Sequence, residues 1–111
     1  MMTFSSTTRL YVCLTPADMR KSINGLSAMA RNEVGEDPLS GHLFIFRNRA
    51  GNRLKVLYWD RNGYAVWYKR IERGRFSFPS AGSGKLTITD AQFQLLVGGV
   101  SLENLWRSHK N

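Results

Sequence analysis

Apolar and polar positions change period several times along the chain, and each change marks an element. Arg9-Leu10-Tyr11-Val12-Cys13-Leu14 is aromatic, β-branched and apolar, the composition of a short buried strand. Thr15-Pro16-Ala17-Asp18 then predicts a helix start, with Thr15 as N-cap and Pro16 at the first helical position, where its missing N–H is harmless. Met19, Ile23, Leu26 and Ala30 follow at helical spacing, so one face of a helix over Pro16–Val34 is expected to pack inward. Gly35 ends it.

Past the break at Glu36-Asp37-Pro38 the period shortens to that of strands. His42–Arg47, Arg53–Trp59 and Tyr64–Ile71 are strand candidates, separated by the turn Asn48–Asn52 and by Asp60-Arg61-Asn62-Gly63, where Asn-Gly signals a hairpin. Leu43, Phe44, Ile45 and Phe46 are apolar on both alternating faces, which predicts a central strand covered on two sides. Gly74–Phe78 and Lys85–Ile88 are further short strand candidates. Thr89-Asp90-Ala91-Gln92 repeats a capping pattern ahead of Phe93, Leu95, Leu96 and Val97, and Gly98-Gly99 closes that helix. The expected fold is α+β: one domain over residues 9–106, with a mainly antiparallel sheet of about four to six strands. A longer N-terminal helix packs on the sheet and a short C-terminal helix lies near an edge. Residues 1–8, rich in Ser and Thr, read as a disordered leader, Ser101–Trp106 as a last helical turn, and residues 107–111 as a frayed tail.

Charge narrows the partner. Lys and Arg number 16 against 8 Asp and Glu, a formal net charge of +8 on 111 residues, so the natural partner is a polyanion. A membrane surface is disfavoured because the cations do not line an amphipathic helix, and no apolar run approaches the ~18 residues that span a bilayer. One cysteine, Cys13, cannot form an internal disulfide, as expected of a chain kept in a reducing, cytoplasmic compartment.

Most of the excess charge falls between residues 47 and 75. Arg47, Arg49, Arg53, Lys55, Arg61, Lys69, Arg70, Arg73 and Arg75 stand there against Asp60 and Glu72, interleaved with Tyr58, Trp59, Tyr64, Trp67, Tyr68, Phe76 and Phe78. Cations meet phosphates and exposed aromatics stack on bases, the combination of sheet-based nucleic-acid binders. The plainer reading places at least half of these aromatics in the core and makes the cations a solubilising rim. By strand alternation Lys55, Leu57 and Trp59 share one face, the better candidate for contact with a partner. Arg20 and Lys21, with Ser22, stand where the first turn of the N-terminal helix is expected and form a second candidate phosphate site, though Asp18 and Arg20 could equally pair with each other.

Catalytic chemistry finds little material. Two-metal strand transfer needs converging carboxylates, yet each of the eight acids falls in a cap, a turn or an exposed helix position. Glu36-Asp37 with His42 is the one cluster resembling a metal site, and an acidic pair bordering a loop is ordinarily a solvated turn. Cys13 reads as an inert buried thiol, and Gly82-Ser83-Gly84 lacks the Lys-Ser/Thr of a phosphate loop. No catalytic residue, metal or cofactor is assigned.

Four ordered blocks, Asp18–Leu26, Gly41–Arg49, Lys55–Asp60 and Trp67–Phe76, closely resemble the TnpB-type accessory protein of the bacterial insertion-sequence family numbered sixty-six, over roughly Leu10–Val100. The larger RNA-guided nucleases that share the TnpB label are a different group. The motif positions carried by the resemblance are Asp18, Arg20, Lys21, Gly25, Phe46, Arg47, Tyr58, Trp59, Asp60, Tyr68, Lys69, Arg70, Gly74 and Phe76. Ile88 stands where the family has Leu, and the end of the second helix differs slightly. The resemblance implies an accessory role in transposition beside a separate transposase and another small element-encoded protein, and leaves the chemistry open. The leading expectation is sequence-tolerant DNA binding by the basic sheet region and residues 20–22. A protein adapter anchored by Trp67 and Tyr68 is the alternative, and a metal-dependent nuclease using Asp18 and Asp60 ranks last.

Overall fold

A computed structural model describes residues 5–78 and 83–100. Its element order is β1 (Leu10–Cys13), α1 (Ile23–Met29) continued by a π-helical turn (Ala30–Val34), β2 (Leu43–Arg47), β3 (Arg53–Asp60), β4 (Gly63–Arg70), β5 (Lys85–Ile88) and α2 (Asp90–Val97). The strands form one sheet in the order β4-β3-β2-β1-β5. Only β1 and β2 are parallel, Leu10 facing Leu43 and Val12 facing Ile45, and α1 supplies the crossover that parallel neighbours require. The domain is α+β, as expected, with β2–β3–β4 as the antiparallel meander.

β2 is buried on both sides, so the core divides into two layers. On face one, Tyr11, Cys13, Phe44, Phe46 and Leu57 pack under Leu26, Met29, Ala30 and Val34 of the helical segment. On face two, Leu10, Val12, Leu43, Ile45, Leu54 and Val56 are covered by Phe93, Leu96 and Val97 of α2 and by Phe76 and Phe78. The C-terminal helix therefore caps the second face instead of merely bordering an edge. Its start is the capping box anticipated, with Thr89 Oγ1 accepting from Gln92 N at 3.1 Å and Gln92 Oε1 from Thr89 N at 2.9 Å.

Three elements depart from expectation. The first helix starts at Ile23, with Ser22 as N-cap, rather than at Pro16. Ala17 N–H donates to Arg47 O at 2.8 Å, which ties residues 16–18 to the end of β2, and Asp18 accepts Arg20 N–H at 2.9 Å, closing a tight turn where the helix was expected. Thr15, expected as N-cap, instead donates its hydroxyl to Glu33. Residues 74–78 form no strand. Gly74, at φ +79°, turns the chain away from β4, and the segment serves as a lid on face two with Phe76 N–H bonded to Gly51 O at 2.7 Å. The hairpin is present but its positive φ falls on Arg61 (56°), because Asp60 pairs with Gly63 and draws the glycine into the ladder.

Ser101–Trp106 and the expected tail lie outside the described residues. So do the first four positions of the leader, while Ser5–Thr8 close a turn through Thr8 N–H to Ser5 O.

The turn between β2 and β3 rests on Gly51, at φ +76°. A Cβ there would meet Phe76 O at 3.4 Å and the Arg75 side chain at 3.6 Å. Gly51→Ala is expected to destabilise the fold by roughly 1–2 kcal/mol through left-handed strain alone, measured as a lower urea midpoint at unchanged slope.

Candidate nucleic-acid interface

Two loops that are distant in sequence meet at one end of the sheet. The connection from β1 to α1 brings Asp18, Arg20 and Lys21; the β2–β3 turn brings Asn48, Arg49 and Arg53; together they line an open groove. The bond from Ala17 N–H to Arg47 O is what brings the two segments together. The turn is braced by Asn48, whose Oδ1 accepts N–H bonds from Asn52 and Arg53 at 3.1 and 3.0 Å and whose Nδ2 donates to Asn52 Oδ1 at 2.7 Å. Arg75 runs beside Gly51 on the same turn.

Asp18 is the sole acid in the groove lining. It grips Arg20 through Nη2 at 2.7 Å and Nε at 3.1 Å, and these hydrogen bonds, with that from the Arg20 backbone, hold its carboxyl at about 2. Both side chains remain well exposed, so the pair fixes geometry more than it adds stability. Among the described residues Lys21, Arg49 and Arg53 form no ion pair. The Lys21 stem crosses Gly25, where a Cβ would approach it to 3.2 Å, which accounts for a glycine in the first turn of α1.

Other expected contacts are engaged inside the protein. The Arg47 guanidinium lies 4.9 Å over the Phe78 ring and donates to Leu14 O at 3.4 Å, with Nη1 buried and without a hydrogen-bond partner among the described residues; burial lowers its pKa from the ordinary value. Lys55 donates to Met19 O at 2.8 Å and Lys21 O at 3.4 Å, pinning the groove-forming loop to β3. Lys69 projects to face two and donates to Val97 O at 2.7 Å, at the carbonyl end of α2, where a cation also meets the helix dipole favourably. Arg70 sits across from Arg53 on face one and pairs with Glu72 at 2.8 Å. Arg73 and Arg75 are exposed in the loop after β4. Thus Arg20, Lys21, Arg49 and Arg53 gather in one groove with Arg70 beside it, whereas Arg47 and Lys69 face the opposite side of the sheet. Ser22 lies at the helix start, with Arg20 and Lys21 before it rather than in its first turn.

Trp67 and Tyr68 point to opposite faces. Trp67 packs against the core under α2 and Tyr68 is 46% exposed on face one, so a single partner surface cannot engage both.

The acidic positions are dispersed. Asp60 is at the hairpin tip beside Arg61, and Asp18 is near Arg53 at the far end of β3, roughly 23 Å away along the strand at ~3.3 Å per residue. Glu36 is paired with Lys85, Asp37 Oδ1 accepts from Leu39 N–H, and His42 Nδ1 accepts from Arg9 N–H. Among the described residues no three His, Cys, Asp or Glu side chains group as metal ligands. Cys13 is buried and its Sγ donates to Thr15 O at 3.4 Å; burial raises its pKa.

Two outcomes follow from this geometry. Because the Asp18 carboxyl is depressed on folding, its link to Arg20 is fully present above the ordinary aspartate range and is lost as pH falls through about 2; a carbon-detected NMR titration should place its midpoint there, and an ordinary midpoint would show that Arg20 does not hold it. Lys69→Met is expected to lower stability by about 1–2 kcal/mol, the worth of a charged hydrogen bond at a helix end, read as a lower urea midpoint.

The family described as "IS66 Orf2 like protein" matches residues 8–107. The uncharacterized protein y4jC of Sinorhizobium fredii (strain NBRC 101917 / NGR234) is 37% identical over 92 residues, covering 83% of this chain and 79% of its own length. From the same organism, the uncharacterized protein y4hO is 35% identical over 105 residues, covering 92% and 91%. No solved structure matches. Among the described residues no helix is long and apolar enough to cross a membrane. With a family match over nearly its whole length and relatives above the identity at which kinship is secure, the chain belongs to the IS66 Orf2-like proteins, accessories of insertion-sequence transposition.

Proposed function

We propose that this protein binds DNA without strong sequence preference through the groove formed by residues 16–21 and 48–53, and that it thereby assists a separate transposase. The observation that carries this reading is the convergence of Arg20, Lys21, Arg49 and Arg53 from two separate segments around a single carboxylate, on a chain with net charge +8. Cations gathered on one concave surface attract a phosphate backbone and release its counterions, which supplies affinity independent of sequence. Both described helices commit one side to the core: α1 packs onto face one, and α2 buries Phe93, Leu96 and Val97. Recognition by backbone contact suits these elements better than major-groove readout. The family supports association with the transposase machinery, and in this reading the protein serves there as a binder. Docking on the transposase without touching DNA is the rival reading.

Anisotropy with a labelled duplex, repeated from low to high salt, tests the proposal. Three or four phosphate contacts give a slope of log affinity on log salt of about −3 to −4, and Arg49→Ala should reduce that slope by about 1. Binding indifferent to salt, or none at low salt together with nuclease-resistant capture of the transposase, would replace it with the adapter reading.

A further inference from the structure

α1 is too short to cover all of face one. Among the described residues, the cluster under the helical segment reaches Leu57 with Tyr64 packed against it, and β4 contributes no fully buried residue. The cross-strand register places there Arg53 opposite Arg70, Lys55 opposite Tyr68, Leu57 opposite Val66 and Trp59 opposite Tyr64. Val66 and Tyr68 are 36% and 46% exposed on a strand that would ordinarily turn such side chains inward. Trp59 and Tyr64 are half-buried and meet edge to face, ring centroids 5.2 Å apart and planes at 84°, which holds both rings in place. Lys55 Nζ stands 5.9 Å from the Tyr68 ring, and its bonds to two backbone carbonyls leave its charge uncancelled.

We infer that this uncovered half-sheet is a stacking platform for unpaired bases, so that the protein prefers single-stranded DNA, with the strand's phosphates leading into the arginine groove; the inference rests on the DNA-binding reading above. Charge favours a polyanion over an apolar protein partner. Arg53 both lines the groove and stands on the platform, Lys55 and Arg70 flank its rings, and the sole acid bonded there is Glu72, on Arg70. Geometry favours a single strand over a duplex. Tyr64, Val66 and Tyr68 project from alternate residues, about 6.6 Å apart, a ladder that unstacked bases of an extended strand can follow. A duplex keeps its bases stacked inside and offers the rings only its backbone. Rings that accept any base π-face also fit binding without sequence preference.

The test uses the full chain with a labelled mixed-sequence oligonucleotide of about 20 nucleotides and its duplex, at equal salt. Wild-type protein is expected to bind the single strand more tightly and to show tryptophan quenching with it. Tyr68→Ala should weaken single-strand binding about tenfold, the value of one stacked base, and leave duplex binding within twofold. Tyr68→Phe, which keeps the ring, should restore the preference, and Arg49→Glu should weaken both forms. An unchanged thermal melt of Tyr68→Ala shows that the loss is local; if that variant unfolds, Tyr68→Phe against Tyr68→Leu gives the same comparison. Equal affinity for the two forms, or equal losses for both with Tyr68→Ala, overturns the platform and leaves the groove standing. Failure of both DNA forms to bind at low salt removes the groove reading, and the platform with it. Unaltered single-strand affinity in Tyr68→Ala, alongside lost capture of the transposase, reassigns the face to a protein.

Discussion

The parallel pairing of β1 with β2, buried on both faces, is the constraint on which the remaining structure depends. Parallel neighbours cannot be joined by a tight turn, so the chain must leave the end of β1, cross the sheet and return. The outward journey is residues 14–22, and it passes the end of β2 closely enough for Ala17 to bond Arg47. That passage sets Arg20 and Lys21 against the β2–β3 turn. The return journey is the helical segment 23–34, whose length suffices to roof the central strands but not the outer hairpin. Groove and bare half-sheet are thus two results of one crossover.

The strong positive charge divides by structural task. Lys55 and Lys69 donate to backbone carbonyls and Arg47 lies over an aromatic ring, so each helps to hold elements in place. Carbonyl oxygens and rings satisfy hydrogen bonds without cancelling charge, so these three still contribute to the positive field of the domain. Arg20 and Arg70 are oriented by carboxylates, while Lys21, Arg49 and Arg53 have none among the described residues. A cation can therefore support the fold and still raise the attraction for phosphate at a neighbouring surface.

Local chemistry announced itself well in the sequence. The doubly apolar Leu43–Phe46, the Thr89–Gln92 capping box and the Asp60–Gly63 reversal each rest on side chains close in the chain, and each appears. What escaped depends on distant partners. The missing helical turns at Pro16 reflect a bond to a strand thirty residues on, between Ala17 and Arg47. The family resemblance named Arg47 and Lys69 as motif positions, and nothing near them in the chain reveals that one lies over Phe78 and the other at the end of α2. Arg20 and Lys21 were legible as candidates, but their meeting with Arg49 and Arg53 is a product of topology. Tyr68 could be separated from Trp67 by alternation alone; which of them stayed uncovered required knowing where α1 ends.

The ammonium of Lys69 joins the outermost hairpin strand to α2, 28 residues farther along the chain. Fraying of that helix uncovers the floor on which Trp67 rests, and detachment of the strand takes away the helix's terminal fastening. The two elements should therefore open as one cooperative unit, although neither is the other's neighbour in sequence. The edge of the sheet is thus tied to a helix on its reverse side.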